Sequence, residues 1–169
     1  MSYINIEIKA RTNKTDQIRK FLLKNGADYK GIDVQTDTYF NVPTGRLKLR
    51  QGNIENSLIF YNRANTSGPK QSDFDLHVVE YGDTLKSILS KAMGVKIIVK
   101  KSREIYYIEN VKFHLDTLEG LGQFVEIEAI NKAIDLPVEK LREQCSFYMH
   151  EFGIIEEDLV PSSYSDMLC

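Results

Sequence analysis

The chain carries no surplus of charge, no long apolar run, no cysteine cluster and no internal repeat. Lysine and arginine number 22 against 24 aspartates and glutamates, giving a net charge of −2 and a pI near 6.0. No global basic field therefore advertises nucleic acid, and no nucleic-acid partner is expected. No stretch is apolar for long enough to span a bilayer, and the amino terminus has no basic-then-apolar signal pattern, so no membrane partner and a cytoplasmic location are expected. Cys145 and Cys169 lack metal-type spacing and are read as free thiols of a reducing compartment. With no linker or low-complexity tract, residues 1–169 are expected to form one domain, long enough to bury a sizeable core.

What the chain does have is an alternation that runs the wrong way for an ordinary sheet. Side chains in a strand point to opposite faces in turn. In Phe124-Val125-Glu126-Ile127-Glu128, the two glutamates share one face and Val125 and Ile127 the other. The same period of two recurs in Asn5-Ile6-Glu7-Ile8-Lys9-Ala10-Arg11 and in Arg46-Leu47-Lys48-Leu49-Arg50. Leu58 to Arg63 and Val99 to Arg103 continue it more loosely, the latter presenting Lys101 with Arg103.

Further strands are expected at 35–40, 74–80, 95–102, 105–108 and 112–116, with loops at 41–45, 51–57 and 65–70. Helices are expected over 12–25, stopped by Asn25-Gly26, over 83–93, ended by Gly94, and from Pro137 onward. The last carries an apolar stripe of Val138, Leu141, Cys145, Tyr148 and Phe152. Left exposed, such a stripe would support a homodimer. The tail from Ile155 reads as a short acidic turn followed by Tyr164-Ser165-Asp166.

About eight strands and three helices make an α+β protein whose strands close into an antiparallel barrel, which removes sheet edges. The charged faces then point inward to line a polar tunnel, and the amphipathic helices pack outside on the apolar faces. Buried charges must be paired or neutralised by a ligand. The inward set holds Arg11, Arg46, Lys48, Arg50, Arg63, Lys101 and Arg103, more cations than one monophosphate satisfies, together with Glu7, Asp116, Glu126 and Glu128. Arginine and lysine match phosphate oxygens, and carboxylates match a hard divalent ion. A linear triphosphate fits such a site best.

The ordered set Glu7-x-Lys9, Asp37-x-Tyr39, Arg46-x-Lys48-x-Arg50, Lys101-x-Arg103, Asp116 and Gly122-Gln-Phe-x-Glu126-x-Glu128 resembles the CYTH superfamily, the triphosphate tunnel metalloenzymes. The resemblance spans Glu7 to about Glu128, with Tyr164-Ser165-Asp166 as a C-terminal echo. It departs at one place: the family's first motif is Glu-x-Glu-x-Lys, and here its first position is Asn5. The resemblance implies metal ligation, by Mg²⁺ or Mn²⁺, at Glu7, Asp116, Glu126 and Glu128. It also implies a phosphate grip by Lys9, Lys48, Arg50, Arg63, Lys101 and Arg103, with Arg11 and Arg46 in phase toward the tunnel mouth. A Lys9–Tyr39 pair is a candidate general base.

Two chemistries follow from the resemblance. In an adenylate cyclase of the class IV type, the ribose 3′-hydroxyl of ATP attacks the α-phosphorus and pyrophosphate leaves. In a tripolyphosphatase or a thiamine-type triphosphatase, water attacks the terminal phosphorus. A binding module that captures triphosphate or polyphosphate without turnover is the alternative of another class, and the charge missing at Asn5 is its best argument.

Overall fold

The inverted alternation closes on itself. In the computed structural model, which describes residues 2–63, 68–132 and 135–168, strands β1 (Ser2–Arg11), β2 (Asp28–Phe40), β3 (Arg46–Gln51), β4 (Asn56–Arg63), β5 (Lys70–Val78), β6 (Val95–Ile108), β7 (Val111–Leu118) and β8 (Gly122–Ile130) form one closed barrel. Around the barrel the order is β1-β5-β4-β3-β2-β6-β7-β8, and every neighbouring pair is antiparallel. Two meanders, β2–β5 and β6–β8, are joined by the β2–β6 ladder, and β1 closes the ring between β5 and β8.

Outward-facing apolar rows need cover, and helices supply it. Helices α1 (Thr15–Lys24) and α3 (Val138–Glu151) lie over β1, β7 and β8. There Ile18, Leu22, Leu141, Cys145 and Phe152 pack on Ile6, Ile8, Phe113, Val125 and Ile127. The α3 stripe is therefore spent on the barrel rather than left for a second copy. Helix α2 (Gly82–Met93) sets Leu85, Leu89 and Met93 against Phe40, Leu49 and Val79. Gly94, at φ 78°, ends it in a backbone region that side chains disfavour.

The segment after α3 lies across one end of the barrel. Leu159 bridges to Ala10, Val160 N–H donates to Lys9 O at 2.9 Å, and the buried Lys70 ammonium donates to the carbonyls of Val160 and Pro161. Helix α4 (Tyr164–Leu168) follows, with Asp166 paired to Arg46 at 2.8 Å. The other end, where β1 begins and the β3–β4 hairpin turns, carries no such covering segment among the described residues.

Three local expectations are corrected. β6 is one strand of 14 residues rather than two, because Arg103 and Glu104 keep pairing with Asp116 and Leu115 across the expected break. β2 starts at Asp28, well before Gln35. Among the described residues there are four α-helices rather than three. Cys169 and Asn65, Thr66 and Ser67 of the expected loop lie outside the described residues.

Candidate active site

The barrel interior is a cavity of about 520 Å³, within the range of small-molecule sites, about 300–1,000 Å³. Its walls divide largely by charge, since β3 and β6 contribute cations and β8 carboxylates, while β1 contributes one of each. Lys48 and Arg50 come from β3, and Lys101 and Arg103 from β6; Glu126 and Glu128 come from β8, with Glu7 and Lys9 from β1.

At the centre of the cationic wall stands Asp37. Its carboxylate accepts two hydrogen bonds from Arg50, at 2.9 and 2.8 Å, and one from Lys101 at 2.7 Å, with Lys48 at 3.9 Å. Burial alone would raise this carboxyl, but Arg50, Lys101 and Lys48 together hold it well below the usual range. One anion among three cations leaves the wall net positive. Burial pulls the Lys48 ammonium well below its ordinary value and Lys101 down to about 8, with Arg50 pushing both the same way. These are groups that gain from an incoming anion.

The opposite wall is a ladder of pairs. In register, Glu7 faces Glu128 and Lys9 faces Glu126. Lys9 Nζ lies 3.6 Å from Glu126 Oε1, and Arg63 pairs with Glu7. Burial raises the Glu128 carboxyl, and the nearby Glu7 and Glu126 add to the rise against Lys112. Asn5 donates to Glu128 Oε1 at 2.7 Å, while its own Oδ1 is buried without a partner. Glu7, Glu126, Glu128 and the orphaned Asn5 Oδ1 are oxygen donors of the kind that Mg²⁺ or Mn²⁺ takes, although Arg63 already pairs with Glu7 and Lys9 with Glu126.

A second group brings one ligand atom each from His114, Asp116 and Glu126 within 4.8 Å of one another. Arg103 already supplies positive charge there: it grips Asp116 through two bonds of 2.7 Å and approaches Glu126 at 3.4 Å. Asp116 also accepts from Tyr164 Oη at 2.8 Å. Asp116, expected as a ligand, belongs to this group without lining the main cavity, and it also holds Arg103 in place. His114 Nδ1 lies 3.3 Å from Glu126, and burial lowers its pKa to about 4, so the ring is neutral at pH 7.

The structure gathers Glu7, Lys9, Tyr39, Lys48, Arg50, Arg63, Lys101, Arg103, Glu126 and Glu128 around one cavity. Arg11 is instead exposed, donating to Leu121 O at 2.9 Å, and Arg46 is turned to Asp166; neither lines the cavity. The tyrosine beside Lys9 is Tyr164, whose ring centre lies 3.7 Å from Nζ. Tyr39 belongs to the far wall, where it bonds Tyr61, and burial drives its hydroxyl well above the ordinary value. A Lys9–Tyr39 base therefore has neither the contact nor the acidity that it needs.

A family model described as the CYTH domain matches residues 3–164. The chain belongs to the CYTH family. It is 24% identical to a Methanocaldococcus jannaschii protein named "Putative adenylate cyclase", over 97% of this chain and 98% of that protein. A Pyrococcus horikoshii protein of known structure shares 26% identity at a TM-score of 0.78, covering 96% of this chain and 98% of that one. A Vibrio parahaemolyticus structure named a "putative adenylate cyclase" shares the fold at a TM-score of 0.80, with 18% identity over 98% and 97% of the two chains.

Within this CYTH barrel, sequence reasoning missed Glu55 and Lys112 as site residues and gave Tyr164 only as part of the C-terminal echo, with no role. Glu55 pairs with Lys112 and comes within 3.6 Å of Arg50, yet it sits in a hairpin loop that no alternation marks. Lys112 stands in phase with His114 and Asp116 on β7, so the period of two could have found it. Tyr164 enters the cavity from a short helix far along the chain, and only the fold brings it there.

Proposed function

We propose that the protein is a metal-dependent enzyme that binds a triphosphate group in the barrel and cleaves one of its phosphoanhydride bonds. The observation that carries this is a buried wall in which Lys48, Arg50 and Lys101 share a single carboxylate, Asp37, facing a wall of three carboxylates across one cavity. A polyanion answers the first wall and a divalent cation the second. Mg²⁺ or Mn²⁺ held by Glu7, Glu126 and Glu128 would neutralise phosphate charge and activate the attacking oxygen. Lys48, Arg50, Lys101 and Arg103 hold and orient the phosphates, while Arg63, with buried Nε and Nη2 unpartnered, offers a fork from the opposite side. Asp37 and Asp116 position that grip without touching substrate.

Hydrolysis of the terminal phosphate is the reading that geometry favours. The groups able to take or give a proton, Lys9 with its burial-lowered pKa and His114, gather around Glu126 toward the end covered by Tyr164. Cyclisation of ATP is the second reading, favoured by the name of the Methanocaldococcus relative. The deciding experiment incubates the protein with Mg²⁺ or Mn²⁺ and ATP, tripolyphosphate or thiamine triphosphate, quantifying orthophosphate, pyrophosphate and cyclic AMP together. Orthophosphate without cyclic AMP supports hydrolysis; equal cyclic AMP and pyrophosphate supports the cyclase; tight binding with no product supports a capture module. Glu126→Gln is expected to abolish metal-dependent turnover, and undiminished activity in that variant would remove the site assignment.

A further inference from the structure

One ion pair of the cavity lies outside both charged walls. Glu55, at the end of the loop between β3 and β4, reaches past β2 and β6 to pair with Lys112 of β7, and both side chains line the cavity. Lys112 stands in register with Tyr107 and Glu128, whereas Asp116, four residues further along β7, stands in register with Arg103. At about 3.3 Å per residue, Lys112 is therefore roughly 13 Å nearer the uncovered end than the Arg103–Asp116 pair. The inward positions between them carry no charge: Ile105 on β6 and the neutral His114 on β7. Among the described residues that line the cavity, the other cation at that end is Lys132, which is exposed and lies over the Tyr3 ring at 5.0 Å.

Glu55 is fixed in this place by its loop. The buried Asp33 carboxylate accepts the backbone N–H groups of Ile54 and Glu55, each at 2.9 Å. Gly52 lets the loop settle this close, since a Cβ there would stand 2.3 Å from Asp33 Oδ1. The buried Gln35 amide donates to Asp33 at 2.8 Å and to Glu55 Oε1 at 3.1 Å, and Arg50 Nη1 lies 3.6 Å from the same oxygen. Burial opposes ionisation of Glu55, but Lys112 and Arg50 hold its carboxyl below the usual range. The protein thus sets an anion of its own between Arg50, a member of the cationic wall, and the lone Lys112.

We infer that Lys112 is a further phosphate-binding residue, which Glu55 yields to an incoming phosphate, so that the pair distinguishes a chain of three phosphates from a chain of two. This rests on the triphosphate reading of the cationic wall. Two phosphates are met at depth by Lys48, Arg50, Lys101 and Arg103. A third, nearer the uncovered end, comes within reach of the flexible Lys112 side chain and takes the ammonium from Glu55. Glu55 keeps Gln35 and Arg50 when Lys112 turns away, so the exchange leaves no buried carboxylate without a donor. A diphosphate stops short of Lys112 and leaves the pair intact.

Calorimetric titration of tripolyphosphate and of pyrophosphate in Mg²⁺, into the unaltered protein, Lys112→Met, Glu55→Gln and the double variant, tests this. Lys112→Met is expected to weaken tripolyphosphate about tenfold or more, the effect of one charge-assisted hydrogen bond, and pyrophosphate less than about threefold. Glu55→Gln should tighten tripolyphosphate at least about threefold and pyrophosphate by less. The double variant separates contact from mere pairing: the loss caused by Lys112→Met should persist when Glu55→Gln is already present. Disappearance of that loss would show that Lys112 only neutralises Glu55, and would overturn the inference, as would equal weakening of both ligands. Lys112→Arg, which keeps the charge, should bind tripolyphosphate within about threefold of the unaltered protein. If Lys112→Met does not fold, Glu55→Gln decides alone, since unchanged or weaker tripolyphosphate binding there overturns the inference. Failure of the unaltered protein to bind either ligand would instead overturn the proposed function.

Discussion

Lys101 is one of the cations of the site whose charge is open to ordinary changes of pH. A lysine is positive below its pKa, and burial brings this one to about 8, so the charge is lost through the window in which most lysines keep theirs. Affinity for tripolyphosphate is expected to fall as pH rises from 7 to 9, and Lys101→Arg should flatten that decline; calorimetry across a pH series reads both. Binding near pH 8 should also take up protons, seen as a dependence of the heat on buffer ionisation. Arg50→Ala, removing the bidentate partner of Asp37, is expected to lower kcat/KM at least tenfold on every triphosphate tested, read by steady-state kinetics. Single residues were legible in the sequence where they sat in phase on a strand, as Lys9, Lys48, Arg50, Lys101, Arg103, Glu126 and Glu128 did. Tyr164 and Glu55 were not, since their places depend on a segment crossing the barrel end and on a loop clamped by a distant aspartate. The same limit explains Tyr39, correctly read as inward but assigned to the wrong lysine across a barrel whose strand order the sequence does not state.

At the scale of elements, the β3–β4 hairpin and the outer helices support the site in different ways. Asp33→Asn keeps the shape of the side chain but loses a charged acceptor shared by three donors, and it is expected to cost about 1–3 kcal/mol in urea denaturation. Leu141→Ala opens a cavity between α3 and the barrel, where Leu141 is fully buried, and it should cost about 2–5 kcal/mol with KM unchanged. Strands were readable because inverted alternation is as periodic as the ordinary kind. Their ends were not: Asp28 to Val34 carries Gly31 at φ 115° with a register shift beside it, which breaks the pattern without breaking the strand.

For the whole molecule, an interior of unlike charges links ligand binding to stability. The nearness of Glu7 and Glu126 to the buried Glu128 carboxyl opposes its ionisation, and a bound cation would relieve that. Saturating Mg²⁺ or Mn²⁺ is expected to raise the Tm, by about 2.7 kcal/mol of stability at a hundredfold excess over Kd. Glu128→Gln should raise the metal-free Tm and abolish most of the metal-dependent increment, and scanning calorimetry separates the two effects. The barrel also sets an order of traffic. Tyr164 and the segment that Lys70 fastens stand over one end, so under the proposed function entry and exit would share the other. A substrate that enters phosphate-first leaves its deepest fragment behind the rest. Under the hydrolysis proposed above, cleavage at the terminal phosphorus would hold orthophosphate until the larger product has gone, so release would be sequential and orthophosphate, the last to leave, the competitor for the next substrate.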